Sequence, residues 1–124
     1  MIGAVDRDTF ATVMRQSIDG IADEAIDEYW KAFGDEDRRR GQLELYRSGD
    51  FEKLAPYEGR LAQLGVPVLI LWGENDAFAP VAGAHRFQKE LGDSELVVLD
   101  AGHFVFEEAP EESTRAVVDF AKRI

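Results

Sequence analysis

The chain has 124 residues, no cysteine, and 14 Lys+Arg against 25 Asp+Glu, for a net charge of −11. That length is one small domain or part of one, and 45% hydrophobic with 31% charged residues is a globular rather than a disordered balance. The acidic excess argues against a nucleic-acid partner, which needs clustered Lys and Arg. The lack of cysteine excludes disulfide scaffolds, thiolate zinc sites and thiol nucleophiles, and with His85 and His103 the only imidazoles neither a metal nor a cofactor is expected. No apolar run has the length of a membrane span, and the N-terminus lacks a basic region followed by an apolar stretch, so the chain reads as soluble and cytoplasmic, with no membrane partner.

Residues 8–64 carry helical periodicity. Phe10, Val13, Met14 and Ile18 make a first apolar stripe, closed by Asp19-Gly20. Ala22, Ala25, Ile26, Tyr29, Trp30 and Phe33 predict a second helix, with Asp23 and Glu24 suiting its N-terminal dipole and Gly34 its C-cap. A third helix follows Asp35, carries Leu43 and Tyr46 and ends near Gly49; its run Arg38-Arg39-Arg40, flanked by acids, reads as a solvated face with local ion pairs. Asp50 suits the cap of a short turn through Phe51 and Leu54, and after Pro56 the residues Leu61 and Leu64 lead to Gly65.

The character then changes. Val66–Trp72 is a continuous apolar run that stops at Gly73, which predicts a strand buried on both faces. A helix from about Pro80 turns Val81, Ala84, Phe87 and Leu91 inward, leaves His85 on the surface and stops at Gly92. Leu96–Leu99 is a second buried strand, and Pro110 starts a last helix with Thr114, Val117, Val118 and Ala121 on one face. The prediction is therefore an α/β chain: a helical segment over 1–64, then a β-α-β-α unit over 65–124 with two parallel strands and a right-handed crossover. Two doubly buried strands need neighbours, supplied by another chain, by a second copy, or by the helical half covering the edges.

Two loops follow the C-terminal ends of these strands, where open α/β sheets place their sites. They read Gly73-Glu74-Asn75-Asp76-Ala77-Phe78-Ala79-Pro80 and Asp100-Ala101-Gly102-His103-Phe104. Taken alone, Asp76 has an ordinary explanation as an Asx turn before a helix, and His103 as a partly exposed histidine. Parallel neighbouring strands bring both to one edge, where a carboxylate holds an imidazole in the tautomer that general-base work requires.

The segment Val66–Pro80 resembles the penultimate strand and acid loop of the α/β-hydrolase family, and Leu96–Glu111 is similar to its last strand, histidine loop and final helix, in the family's order of acid before histidine. Residues 8–60 resemble the helical cap of the epoxide-hydrolase and haloalkane-dehalogenase branch. The resemblance implies a partial α/β-hydrolase fold with a cap-like N-terminal half, Asp76 as the triad acid, His103 as the general base, and Trp30, Phe78 and Phe104 near the substrate pocket. At helical spacing beside Ile26 and Tyr29, Trp30 also has a plain reading as core. Glu107, Glu108, Glu111 and Glu112 are explained by the start of a helix rather than by a cation site.

The departure from the family lies in the nucleophile. No G-x-S-x-G elbow, no Asp counterpart after a strand and no HGGG-type loop is present, and Ser17, Ser48, Ser94 and Ser113 stand outside any predicted elbow. Met1 is then an internal methionine of a longer protein, an artificial start, or the true start of a split or decayed gene. Two functions follow. The first is the C-terminal part of an α/β hydrolase acting on an ester, epoxide or carbon–halogen bond of a small molecule, inactive unless a complementary N-terminal hydrolase segment supplies the nucleophile. The second is a non-catalytic self-associating module, a homodimer, derived from such a hydrolase.

Overall fold

A computed structural model describes residues 6–124 of the chain. Met1, and most of the N-terminal stretch read for a leader, lie outside the described residues. The contacts divide the chain into two units between Pro56 and Tyr57, so that the turn Leu61–Leu64 belongs with the strands that follow.

The first unit contains α1 (Arg7–Ser17), α2 (Asp23–Lys31) and α3 (Glu36–Ser48). Asp6 caps α1 by accepting the Thr9 amide at 2.8 Å, and Asp35 caps α3 through the Arg38 amide at 2.8 Å, which satisfies N–H groups that a helix start leaves orphaned. Asp50 accepts the Glu52 amide at 3.1 Å in the turn where a cap was expected. Phe10, Ala11 and Ile26 form the core, with Met14, Ile21, Trp30 and Phe33 packed against it. Val13 departs from the expected stripe: it is exposed, and the smaller Ala11 is buried in its place.

Three further expectations for this unit are corrected. Gly34 is not a left-handed cap; α2 ends at Lys31 and closes by the tighter bond from the Phe33 amide to the Trp30 carbonyl, 2.8 Å. Tyr46 stays exposed, and α3 buries no residue. In the basic run, Arg38 and Arg40 do pair with Asp35 (3.1 Å) and Asp37 (2.8 Å), but Arg39 is half-buried and donates to the Phe33 carbonyl at 2.5 Å, while Arg38 also reaches the Lys31 carbonyl at 2.6 Å. Those guanidiniums satisfy carbonyls at the C-terminal end of α2.

The second unit runs β1 (Val68–Gly73), α4 (Ala82–Leu91), β2 (Ser94–Leu99), α5 (Val105–Glu108) and α6 (Pro110–Ala121). The strands pair in parallel, from Val68 opposite Ser94 to Gly73 opposite Leu99. Pairing starts at Val68 because Pro67 has no amide to offer. Side chains alternate across the sheet: Trp72 meets Phe87 of α4, while Leu71 and Leu99 pack with Ala101, Val105 and Ala109 around α5. Burial on both faces, expected from the apolar runs, is only half reached. Ile70 is buried, but Val98 is exposed, since among the described residues the sheet is two strands wide.

Helix α4 begins at Ala82, two residues past the expected start, with the Gly83 amide bonded to the Pro80 carbonyl at 2.8 Å, and Gly92 ends it at φ +64°. Ala84 is buried and His85 exposed as expected, whereas Phe87 keeps an exposed edge beside Trp72. Pro110 does start α6, but that helix is rotated from the expected face. Ser113 is fully buried, Ala116 and Phe120 half-buried, and Thr114, Val117, Val118 and Ala121 face outward. The Ser113 hydroxyl donates to the Ala109 carbonyl at 2.7 Å, which lets a polar residue occupy the buried row. Among the described residues no helix is long and apolar enough to cross a membrane.

Candidate active site

The site lies beyond the C-terminal ends of β1 and β2, and backbone contacts hold its two loops together. The Glu74 amide donates to the Leu99 carbonyl at 2.8 Å, and the Asn75 amide to the Ala101 carbonyl at 3.0 Å, continuing the ladder past the strands. The Asn75 side-chain amide adds a bond to Asp100 at 2.9 Å. Gly73 makes this approach feasible: a Cβ there would stand 1.9 Å from the Gly102 carbonyl oxygen and 2.4 Å from that of Ala101. A glycine at a strand end is thus required by a second backbone crossing over it.

Asp76 is held by its own loop. One carboxylate oxygen accepts the Phe78 amide at 2.9 Å and the Ala79 amide at 2.8 Å, the Asx arrangement, and this aims the other at His103. That second oxygen lies 2.8 Å from His103 Nδ1. The Asp76 side chain is 5% exposed and that of His103 42%. Burial pushes the Asp76 carboxyl upward, but the Ala79 amide, the His103 ring and the Phe78 amide together outweigh it and hold the group below the usual aspartate value. An ionised Asp76 accepts only, so Nδ1 is the protonated nitrogen of this bond and, in the neutral ring, Nε2 is the one that carries the lone pair.

The rings of Phe78 and Phe104 both meet His103, each with its centroid 5.2 Å from the imidazole centroid and at a steep angle. The structure therefore brings together Asp76, His103, Phe78 and Phe104. Trp30 belongs to the helical unit, where its ring lies 5.3 Å from that of Phe10 and stacks at 11° with that of Phe33. Ser17, Ser48, Ser94 and Ser113 stand in α1, α3, β2 and α6.

Three features were not reached from the sequence: the backbone crossing at Gly73, the Asn75–Asp100 tie, and the position of Glu108. The Glu108 carboxylate, assigned above to a helix start, instead turns back to accept the Gly102 amide at 2.6 Å and the Phe104 amide at 3.2 Å. A glycine closing β1 was the one available signal for the first.

Two parallel strands that deliver a carboxylate and then a histidine to one sheet edge are arranged as in the α/β-hydrolase fold. The family described as the alpha/beta hydrolase fold matches residues 6–110, and the chain belongs to it. Among similar proteins, the uncharacterized hydrolase YugF of Bacillus subtilis (strain 168) is 33% identical over 105 residues, covering 82% of this chain and 37% of that protein. Epoxide hydrolase 3 of Siraitia grosvenorii is 34% identical over 93 residues, covering 67% of this chain and 29% of that protein. Monoacylglycerol lipase ABHD6 of Mus musculus is 36% identical over 59 residues, covering 47% of this chain and 18% of that enzyme. A crystal structure of a serine hydrolase involved in carbazole degradation, the CarC enzyme, superposes with a TM-score of 0.72 at 22% identity and covers 96% of this chain but 48% of that one. The fold is therefore a partial α/β-hydrolase fold, and the chain spans less than half the length of these relatives.

Proposed function

We propose that this chain supplies the acid and the base of a hydrolase charge relay, with the nucleophile and oxyanion donors coming from a complementary N-terminal segment. The observation that carries the reading is the 2.8 Å bond between a buried Asp76 carboxylate and His103 Nδ1. Asp76 stays ionised and fixes the tautomer; His103 Nε2 takes a proton from the attacking hydroxyl or water and returns it where an alkoxide leaves, whereas a halide departs as the free anion. Phe78 and Phe104, whose rings meet His103, are the residues we assign to the apolar wall of the pocket. The substrate is a small molecule with an ester, epoxide or carbon–halogen bond, and the names of the lipase and epoxide-hydrolase relatives favour the first two classes. No cofactor enters this scheme, and the compartment proposed is the cytoplasm.

A relay without a positioned nucleophile and oxyanion donors lacks the contributions that usually dominate. The chain alone is therefore expected not to hydrolyse 4-nitrophenyl acetate, whereas mixing it with the part of the Bacillus relative that the match leaves uncovered restores turnover, lost again with His103→Ala. Turnover by the chain alone that disappears with His103→Ala overturns the claim that the nucleophile comes from elsewhere. The second reading, a self-associating module built around the strands, draws support from the exposed Val66, Val98, Val117 and Val118 of the strand unit. Sedimentation separates the two, because a dimer is expected of the module without any complementary segment.

A further inference from the structure

We propose that Glu108 is a positioning residue for His103, an inference that rests on the acid–base reading above. The His103 side chain is 42% exposed, so packing alone does not orient it. Its backbone, by contrast, is gripped on both sides by one carboxylate. Glu108 accepts the Gly102 amide at 2.6 Å and the Phe104 amide at 3.2 Å, which fixes the peptide planes before Gly102 and after His103. Glu108 is itself held, its amide bonded to the Phe104 carbonyl at 3.0 Å and the next amide to the Val105 carbonyl at 3.0 Å.

The clamp occupies space that only a glycine leaves open. A Cβ on Gly102 would lie 2.8 Å from one Glu108 oxygen and 2.9 Å from the other. The acid loop needs no such help, because Asp76 binds the amides of its own turn. The two halves of the relay are therefore positioned by different means: the acid from within its loop, the base from a residue five positions further along the chain. Glutamate suits the task because both oxygens accept, and hydrogen bonds from amides to an ionised carboxylate are stronger than neutral ones. Glutamine at this position keeps the length but turns a donor toward one of the two amides.

The test uses the chain with 15N-labelled histidine, reading the ring-nitrogen shifts and the solvent exchange of the Nδ1 proton, with His85 as control and a thermal melt to check folding. In Glu108→Gln the His103 Nδ1 proton is expected to exchange about tenfold faster, the equivalent of one lost hydrogen bond, with the melt still cooperative. Gly102→Ala, which pushes the carboxylate aside without removing it, is expected to act in the same direction and decides the matter if Glu108→Gln does not fold. Wild-type exchange and shifts in these variants, with Asp76→Asn clearly altered, overturn the role of Glu108 and leave the acid–base pair standing. Identical His103 behaviour in wild type and Asp76→Asn overturns the pair itself, and Glu108's role with it.

Discussion

Each of the two units of this chain is stabilised internally by its own kind of contact. In the helical unit the determinant is side-chain volume: Phe10, Trp30 and Phe33 meet ring against ring around a fully buried Ile26. In the strand unit the buried residues beside the site are small, Ala101, Val105 and Ala109, and the determinant is how closely two backbones approach. Volume is exchangeable, because other apolar side chains of similar size fill the same space at modest cost. Backbone approach is not, since no side chain substitutes for the absence of one.

The sharpest way to break this contrast is Gly73→Ala. A methyl 1.9 Å from a carbonyl oxygen forces the histidine loop off the strand end, and we expect a loss of about 4 kcal/mol or more together with disruption of the Asp76–His103 contact. Urea unfolding and the histidine spectrum measure both. Survival of wild-type stability and spectrum would show that the loops yield more easily than their geometry implies. Next in size is Ile26→Ala in the helical unit, expected to cost about 3 kcal/mol because a fully buried side chain leaves a cavity. Ile26→Val should recover most of that loss in the same unfolding assay, whereas no small residue other than glycine should serve at position 73.

Asp76→Asn tests the electrostatic part of the site. Asparagine still accepts the turn amides with one oxygen but turns an amide toward His103, and the expected loss is about 1–2 kcal/mol at neutral pH. The direction with pH follows from the lowered carboxyl of Asp76. Its stabilisation is fully present above the unfolded-state value of about 3.9 and is lost as pH falls through the lower folded-state value. The gap between wild type and variant should therefore close in acid, and a gap that is constant from pH 7 to pH 2 would contradict the assignment. The smallest effect, and of opposite sign, is expected for Gly83→Ala on α4. There an added Cβ meets only Trp72 ring carbons, the nearest at 3.6 Å, and replacing a helical glycine gains about 0.5–1 kcal/mol, read as a raised melting temperature.

The sequence made the strands, their parallel order and the pair Asp76–His103 legible because each rests on a local pattern: an apolar run, a glycine stop, and a polar residue in the loop that follows. Asp35, Asp50 and Pro110 were legible as start signals for the same reason. What escaped depends on three-dimensional neighbours. The rotation of α6 is not legible in its apolar stripe, because the buried row includes Ser113, whose hydroxyl is satisfied by a carbonyl of the preceding turn. Glu108 reads as helix-start charge because acidic residues gather at helix starts, and nothing in its spacing reveals a side chain that folds back across the loop. Arg39 likewise reads as one solvated cation in a run of three, because the Phe33 carbonyl it binds just past the end of α2 is a neighbour only in three dimensions.

The register of the two strands has a consequence for insertions and deletions. Asp76 lies in the loop three residues past the end of β1 at Gly73 and His103 four residues past the end of β2 at Leu99, and these two strand ends are paired opposite each other. One residue of strand advances the chain by about 3.3 Å and reverses its faces, a step longer than the whole 2.8 Å separation between the carboxylate and the ring nitrogen. The strand pair therefore acts as a ruler with single-residue graduations. Chain length gained or lost at the end of α4, in the turn at Gly92 and Asp93, leaves the graduations untouched and is free to drift. Within Ser94–Leu99 even one added residue carries His103 past Asp76.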